Sequence, residues 1–196
     1  MELTQAEING LLAKRNVIKE GHFLLSSGKH SNRYLQCAQI LQYPDDAFKL
    51  GAAIATKAKQ MGAEVVVSPA LGGVIIGHEV ARALKIRFIF AERENGKMTL
   101  RRGFTLAEGE KVFVVEDVIT TGGSAKEVVE ACRAAGADVV GVGSIIDRSG
   151  SNKNVFDVPF LPLTKVDVES WDATDCPLCK EGASPAIKPG SRNITK

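Results

Sequence analysis

Length, composition and charge are those of an ordinary globular protein. The 196 residues suffice for one domain with a sizeable core, and a net charge of +2 gives no bulk basicity of the kind that binds nucleic acid. The apolar runs are shorter than the ~20 residues of a membrane span, and residues 1–4 (Met-Glu-Leu-Thr) are unlike a signal peptide. We therefore expect a cytoplasmic protein with no membrane or nucleic-acid partner.

Helices and strands are predicted to alternate along most of the chain. A capping box at residues 4–7 (Thr-Gln-Ala-Glu) marks the start of the first helix, and Pro44 with two following aspartates marks the start of the second. Hydrophobic periodicity predicts helices over residues 4–15, 44–61, 73–84 and 124–135, and strands over residues 65–67, 86–91, 112–115, 139–146 and 156–163. This alternation predicts an α/β fold with a doubly wound, mainly parallel sheet and flanking helices.

The end of the chain, from Trp171 on, is rich in Pro, Gly and Ser and predicts a loosely structured tail. It contains a CxxC motif, Cys176 and Cys179. A structural zinc site needs two further ligands, and the sequence holds no second CxxC or HxxxH pair. Zinc shared between two subunits stays an alternative, but we interpret the pair as two thiols of the tail. Cys37 and Cys132 are too scattered to suggest a disulfide framework.

The segment after the strand over residues 112–115 carries the most chemical information. Glu116 and Asp117 stand at the carboxyl end of that strand, where open α/β sheets bind ligands. A turn rich in hydroxyls and glycine, residues 120–124 (Thr-Thr-Gly-Gly-Ser), then leads into a helix. Backbone N–H groups and the helix dipole suit a phosphate at such a junction, while the acids suit sugar hydroxyls or a divalent cation. The P-loop lysine and the third glycine of the dinucleotide motif are absent, so the segment predicts a sugar-phosphate site.

A second strand-to-helix turn spans residues 68–73 (Ser-Pro-Ala-Leu-Gly-Gly). Its glycines allow backbone N–H groups to approach an anion closely. Close packing of a helix start against its neighbours explains the same glycines equally well, so the turn by itself leaves both interpretations open.

A basic segment over residues 93–102 is predicted to be a loop. It carries Arg93, Lys97, Arg101 and Arg102. A charge run of this kind is either a solvated face or a mobile lid that closes over a diphosphate leaving group and excludes water.

Arg148 follows the strand over residues 139–146. It either makes a weak surface ion pair with Asp147 or binds a substrate carboxylate, whose shape matches the planar guanidinium. The three histidines show no catalytic pattern, and we interpret His78 as a helix residue.

Three motifs resemble those of the orotate phosphoribosyltransferases, a family of type I phosphoribosyltransferases, and they follow one another along the chain in the same order as in that family. Residues 112–124 are similar to the family's phosphoribosyl-diphosphate signature, residues 23–31 (Phe-Leu-Leu-Ser-Ser-Gly-Lys-His-Ser) to its orotate-side motif, and residues 147–150 (Asp-Arg-Ser-Gly) to its strand-end arginine motif. The resemblance implies one domain over residues 1–170, with residues 1–40 forming a small N-terminal hood over the base site. A tail over residues 171–196 follows.

The resemblance also implies an activity. The chain is expected to transfer the 5-phosphoribosyl group from 5-phosphoribosyl 1-diphosphate to orotate in pyrimidine biosynthesis, giving orotidine 5′-monophosphate and diphosphate. The implied cofactor is Mg²⁺, held through the substrate with Asp117 as a candidate protein ligand. The implied assembly is a homodimer whose basic lid reaches the partner's site. A purine or uracil phosphoribosyltransferase and a non-catalytic regulator that senses the sugar diphosphate stay open as alternatives, although Arg148 favours an acceptor with a carboxylate.

Roles for individual residues follow from the same resemblance. Lys97 and Asp117 are implied to be catalytic. The residues implied to bind the sugar diphosphate are Gly72, Gly73, Arg93, Lys97, Glu116, Asp117, Val118, Ile119, Thr120, Thr121, Gly122, Gly123 and Ser124. Those implied to bind orotate are Ser27, Gly28, Lys29, Thr120 and Arg148.

The chain departs from the family pattern at three positions. Glu94 and Thr99 stand where many members have Lys and His, and one of the two arginines that follow is expected to compensate. Ser26 stands where some members have Lys, so Lys29 or the backbone of the adjoining turn is expected to take that role.

Overall fold

Two β-sheets, one of six strands and one of three, organise the protein. In this computed structural model the described residues are 2–25, 27–150, 155–182 and 184–189. The helices are α1 (Gln5–Lys14), α2 (Ala38–Leu41), α3 (Pro44–Gln60), α4 (Gly72–Leu84), α5 (Gly123–Ala134) and α6 (Pro177–Lys180). The strands are β1 (Ile18–Leu24), β2 (His30–Leu35), β3 (Val65–Pro69), β4 (Arg87–Glu94), β5 (Lys97–Leu100), β6 (Lys111–Ile119), β7 (Asp138–Asp147), β8 (Phe160–Lys165) and β9 (Ser170–Trp171).

The six-stranded sheet has the order β5-β4-β3-β6-β7-β8 and is parallel except for β5. Successive side chains of a strand point to opposite faces, so Val66 joins the hydrophobic core on the side of α3 and α4, while Val65 and Val67 join the core on the side of α5. Because both faces are covered by helices, the strands consist of continuous apolar runs. The prediction of a doubly wound, mainly parallel sheet is confirmed.

The helices begin and end for local reasons. The predicted capping box of α1 is present: the Thr4 hydroxyl accepts a hydrogen bond from the Glu7 N–H (3.3 Å), and the Glu7 carboxylate accepts one from the Thr4 N–H (2.8 Å). Pro44 is the first residue of α3, which has 17 residues. Among the described residues, no helix combines the length and the apolar character needed to cross a bilayer.

The basic segment is a β-hairpin, so the prediction of a loop over residues 93–102 is wrong for most of its length. β4 continues past the predicted end at Ala91 to Glu94, and β5 pairs with it in antiparallel register. Asn95 and Gly96 connect the strands with φ values of 49° and 84°, the conformation that an Asn-Gly hairpin turn adopts. The last strand of the sheet also differs from the prediction, since β8 begins after Pro159 and extends beyond Leu163.

The second sheet has three antiparallel strands in the order β1-β2-β9, and we call this sheet the hood. Its third strand, β9, comes from the start of the predicted tail. Further along the tail, α6 follows, and Ile187 exchanges backbone hydrogen bonds with β1: its carbonyl oxygen accepts one from the Leu24 N–H (2.8 Å), and its N–H donates one to the His22 carbonyl oxygen (2.9 Å). The expectation of a loosely structured tail is therefore wrong for these residues, which pack on the hood.

A pair of glycine substitutions tests how tightly α3 and α4 pack. A Cβ at Gly51 would lie 2.6 Å from the Glu79 Cβ, whereas a Cβ at Gly10 in α1 would meet no atom of the described residues within 4 Å. Gly51→Ala should lower the free energy of unfolding by ~1–3 kcal/mol through overpacking. Gly10→Ala should raise it by about 0.5–1 kcal/mol because alanine favours the helix. Urea denaturation measures both, and a shift of the same sign in the two variants would contradict the close packing.

Candidate active site

Two strand-to-helix turns meet because β3 and β6 are adjacent parallel strands. The turn after β3 carries Gly72 and Gly73, and β6 carries Glu116 and Asp117. A Cβ at Gly72 would lie 2.9 Å from Asp117 Oδ1, and one at Gly73 would lie 2.8 Å from the Val115 carbonyl oxygen. A larger residue would therefore push the turn and the acids apart, and the peptide between Ala70 and Leu71 in this turn is cis.

The two carboxylates are held close to the sheet. Glu116 is only 9% exposed, and its Oε1 accepts a hydrogen bond from the Asp117 N–H at 3.2 Å. Asp117 Oδ1 accepts one from the Val118 N–H at 2.8 Å. Burial, and then the charge of Asp117, raises the pKa of Glu116 to about 9. Burial also raises the pKa of Asp117. The pair therefore favours a neighbouring cation or a ligand that donates hydrogen bonds.

The N-terminus of α5 is open to an anion. Its N-cap is Gly122, with a φ of 77° and no capping side chain, in contrast to the capping box of α1. Among the atoms that the structure describes, a Cβ at Gly123 would have only Thr121 Oγ1 within 4 Å, at 3.7 Å, so a side chain there would extend into the cleft in front of the helix. The first-turn N–H groups thus face a space that a phosphate group would fill.

That space is a cleft of about 290 Å³, which we call the phosphate cleft. Its lining residues are Arg93, Glu116, Val118, Ile119, Thr120, Thr121, Gly122, Gly123, Ser124, Ala125 and Glu127. The predicted sugar-diphosphate residues on β6 and α5 thus surround one cleft, with Asp117 and the glycines of the β3 turn beside it.

A second cleft of about 470 Å³, the arginine cleft, adjoins the first and shares Thr120 and Thr121 with it. Its lining residues are Leu25, Ser27, Tyr34, Thr120, Thr121, Arg148, Ser149, Gly150, Val168 and Ser170. One wall belongs to the hood and the other to the carboxyl end of β7. Two ligands in these clefts would meet at the shared threonines.

Arg148 is half-buried, and burial lowers the pKa of its guanidinium. Within the described residues it has no acidic partner: Asp147 instead accepts a hydrogen bond from the Ser149 N–H at 2.8 Å. The surface ion pair with Asp147 that the sequence left open is therefore not formed. A half-buried cation without a counter-charge suits an anionic ligand.

Not every predicted site residue lies at a cleft. Lys29 is 3.8 Å from Asp172, and neither Gly28 nor Lys29 is among the described lining residues of the arginine cleft. Lys97 begins β5 and, within the described chain, lines neither cleft and makes no ion pair. Ser26 lies outside the described residues.

Arg93 lines the phosphate cleft, but its guanidinium already makes hydrogen bonds within its own chain. Its two terminal nitrogens donate to the carboxylate of Glu127 at 3.0 Å each, and one of them also donates to the Gly96 carbonyl. Glu127 accepts a further hydrogen bond from the Met98 N–H at 3.1 Å. The β4–β5 hairpin is thereby tied to α5.

Several residues that line the clefts belong to no motif recognisable in the sequence. Tyr34, Val168 and Ser170 reach the arginine cleft only because β2 and β9 pair in the hood. Glu127 lies past the recognisable turn, on the next helical turn of α5. Their roles depend on the tertiary arrangement, so no local pattern would have found them.

Comparisons with known proteins agree with this geometry. Residues 38–173 match a family model described as phosphoribosyl transferase domain. An orotate phosphoribosyltransferase of Thermotoga maritima is 56% identical and covers 95% of this chain and 99% of its own length. One of Desulforamulus reducens is 51% identical, covering 98% and 100%. The crystal structure of Mycobacterium tuberculosis orotate phosphoribosyltransferase in complex with Fe(III) dicitrate has a TM-score of 0.70 at 21% identity, covers 83% of this chain and 96% of that one, and shows the same fold.

The raised pKa of Glu116 predicts a destabilising effect at alkaline pH. Between its usual pKa of 4.5 and the folded value of about 9, the folded state binds more protons than the unfolded state, so stability falls as pH rises through this window. Glu116→Gln should therefore raise the Tm of the ligand-free protein at pH 8 by at least ~2–4 °C, the shift that about 1 kcal/mol gives in a domain of this size.

Thermal unfolding of ligand-free protein between pH 5 and pH 9 measures this effect. Glu130→Gln, at an exposed position of α5, is the matched control and should follow the wild-type pH profile. A lower Tm of Glu116→Gln at pH 8 would show that its surroundings favour the charged form of the acid.

Proposed function

The chain belongs to the orotate phosphoribosyltransferases, and on this premise we propose how its two clefts perform the family's reaction. The enzyme transfers the 5-phosphoribosyl group from 5-phosphoribosyl 1-diphosphate to a ring nitrogen of orotate, releasing diphosphate and forming orotidine 5′-monophosphate. One observation carries the residue-level proposal: the phosphate cleft meets, at Thr120 and Thr121, a cleft whose half-buried arginine has no acidic partner in the described part of the chain. The donor and the acceptor would then react at that junction.

The donor binds in the phosphate cleft. The open N-terminus of α5 receives the 5-phosphate through backbone N–H groups and its dipole. Glu116 and Asp117 accept hydrogen bonds from the ribose hydroxyls. Gly72 and Gly73, which touch the acids, place their N–H groups at the diphosphate.

The acid pair also fits a divalent cation. Carboxylate oxygens are donors that Mg²⁺ prefers, and a cation nearby would favour the ionised forms that burial opposes. We assign Asp117 as the protein group that would hold Mg²⁺ together with the substrate. The bound metal supplies neutralising charge to the diphosphate.

Orotate occupies the arginine cleft. Its carboxylate pairs with the guanidinium of Arg148, which lacks an acidic partner among the described residues, and the wall formed by Ser27 and Tyr34 covers the ring. This placement directs the ring towards Thr120 and the donor cleft. Purines and uracil lack the carboxylate, so Arg148 would be left buried and unpaired with them.

Positioning and electrostatics then supply the catalysis. Holding both anions at the junction removes much of the entropic cost of their encounter. The ionised acids offset the positive charge that develops on the ribose, and a basic group stabilises the departing diphosphate. Arg93 lines the phosphate cleft on its own chain, whereas Lys97, which makes no ion pair with any residue that the structure describes, is placed to serve a neighbouring site.

Loss of orotate absorbance on incubation with 5-phosphoribosyl 1-diphosphate and Mg²⁺ is the direct test of the activity. We expect turnover that requires both substrates and the metal. Equal rates with uracil and orotate would overturn the assignment of Arg148 to acceptor choice.

Arg148→Ala should raise the KM for orotate far more than the KM for the sugar diphosphate. Removal of a charged hydrogen bond at a desolvated site costs on the order of 2–3 kcal/mol, or ~30- to 150-fold. Steady-state kinetics with each substrate varied in turn measure the two constants. Arg133→Ala is a matched control, because this arginine pairs with Asp157 away from both clefts. Orotate kinetics unchanged by Arg148→Ala would remove this residue from the acceptor site.

We further propose a cytoplasmic homodimer in which the β4–β5 hairpin reaches the partner's site. Leu71 and Ile75 are large apolar residues, 86% and 47% exposed, on one face at the start of α4. Exposed apolar patches of this kind mark interfaces. A subunit bound there would lie beside the Gly72 turn, where a partner's Lys97 could meet the diphosphate. A cytoplasmic location fits substrates whose charges bar them from crossing a bilayer.

Mixing two impaired variants tests the shared site. With Lys97→Ala in one subunit and Asp117→Asn in the other, a lid acting across the interface leaves one intact site and one doubly impaired site in each mixed dimer. Random exchange makes about half of the dimers mixed, so ~25% of wild-type activity should return. Exchange of each variant with itself is the control. If activity stays low although subunit exchange is demonstrated by mass, the lid serves its own subunit.

A further inference from the structure

A cluster of four potential metal ligands lies on the hood, outside both clefts. It consists of His22 on β1, His30 at the start of β2, and Cys176 and Cys179 at the start of α6; we call it the His₂Cys₂ cluster. One nitrogen or sulfur atom from each lies within 4.8 Å of all the others. The two additional ligands that the CxxC motif lacked in the sequence are therefore present in the fold.

The spacing of these atoms is close to that of a tetrahedral zinc site. Zn–S bonds of about 2.3 Å and Zn–N bonds of ~2.0–2.1 Å give tetrahedron edges of about 3.3–3.8 Å. His22 Nε2 lies 3.5 Å from the Cys176 sulfur and 3.6 Å from the Cys179 sulfur. His30 Nδ1 lies 3.3 Å from the Cys179 sulfur and 2.9 Å from His22 Nε2. Side-chain movements that separate the two ring nitrogens and shorten the longest separation in the set, which is within 4.8 Å, would complete the tetrahedron.

The protonation of His22 also suits a metal. Its Nδ1 lies 2.8 Å from the carbonyl oxygen of Ser184. Because a carbonyl oxygen only accepts hydrogen bonds, Nδ1 carries the proton, and the lone pair of the neutral ring is on Nε2, which faces the cluster. A backbone carbonyl that orients a histidine in this way is the usual outer partner of a zinc ligand.

The cluster is partly shielded from solvent. Cys176 is fully buried and His22 is 8% exposed, whereas Cys179 lies at the surface. Both cysteines are free thiols. A set of two sulfurs and two imidazoles in tetrahedral spacing selects zinc among the common cellular metals.

We propose that His22, His30, Cys176 and Cys179 bind one Zn²⁺ ion that fastens the C-terminal tail to the hood. Binding displaces one proton from each thiol to solvent, so two thiolates balance the charge of the cation. No oxidant or reductant takes part. The site is structural, because all four positions of the tetrahedron are filled by protein.

The fastening affects the wall of the arginine cleft. Leu25 and Ser27 line that cleft and lie in the turn between the two histidine ligands, while Ser170 lines it from β9, which pairs with β2. Zinc would therefore hold the turn and the tail in one arrangement. Metal binding itself does not depend on the proposed roles of the cleft residues.

Metal content of the purified full-length protein is the first test. We expect about one equivalent of zinc per chain, reduced at least ~10-fold in Cys176→Ser and Cys179→Ser. Cys132→Ser, on α5, and His78→Asn, on α4, are matched controls that should retain the metal. If a zinc-supplemented wild-type protein with both thiols reduced holds no zinc, the proposal is wrong. A mass lower by two hydrogens, showing a Cys176–Cys179 disulfide in the protein as isolated, would also overturn it.

Cobalt substitution in the wild-type protein is a second test, and its result does not depend on whether the cysteine variants fold. Co²⁺ added to chelator-treated wild-type protein should give the visible bands of a tetrahedral thiolate complex, and Zn²⁺ should abolish them. Spectra of six-coordinate cobalt would contradict the four-ligand site.

Hydrogen exchange tests the fastening role. Backbone amides of residues 18–35 and 170–189 should exchange at least ~10-fold faster in the chelator-treated protein than after zinc is restored, while those of α3 should not change. Equal exchange in the two states would show that zinc does not hold the tail on the hood.

Discussion

The close approach of the β3 turn to the end of β6 is the constraint on which the site depends. Gly72 and Gly73 lie against Glu116 and Asp117 at distances that leave no room for a Cβ. The parallel pairing of β3 and β6 sets this approach. As a result, the backbone of the β3 turn lies against the carboxylates at the end of β6, beside the phosphate cleft.

This arrangement is unfavourable to the ligand-free protein. Glu116 and Asp117 lie partly desolvated beside one another, and Arg148 is half-buried without an acidic partner in the described chain. Such groups cost stability when nothing compensates them. The proposed ligands carry the complementary features: ribose hydroxyls and a cation for the acids, and a carboxylate for the arginine. Ligand binding would therefore compensate the charges that are desolvated and unpaired in the folded, ligand-free protein. Functional sites commonly reduce stability in this way.

The hood depends on distant parts of the chain. β1 and β2 form a hairpin, but its third strand and one side of the His₂Cys₂ cluster come from residues 170–179. The arginine cleft thus has one wall built by the central sheet and one by the hood and tail. A bound zinc ion would couple the order of the tail to the shape of that wall.

The sequence by itself determined the local features. Apolar runs and the capping box of α1 act over a few residues, so they predicted the four long helices and most of the large sheet, and the Thr-Thr-Gly-Gly-Ser turn gave the prediction of a phosphate site. Only the tertiary structure decided what lies far apart along the chain: that the tail packs on the hood, that the Arg148 guanidinium meets no acid among the described residues, and that His22 meets Cys176. Such contacts depend on strand pairing between distant segments, which no local spacing encodes.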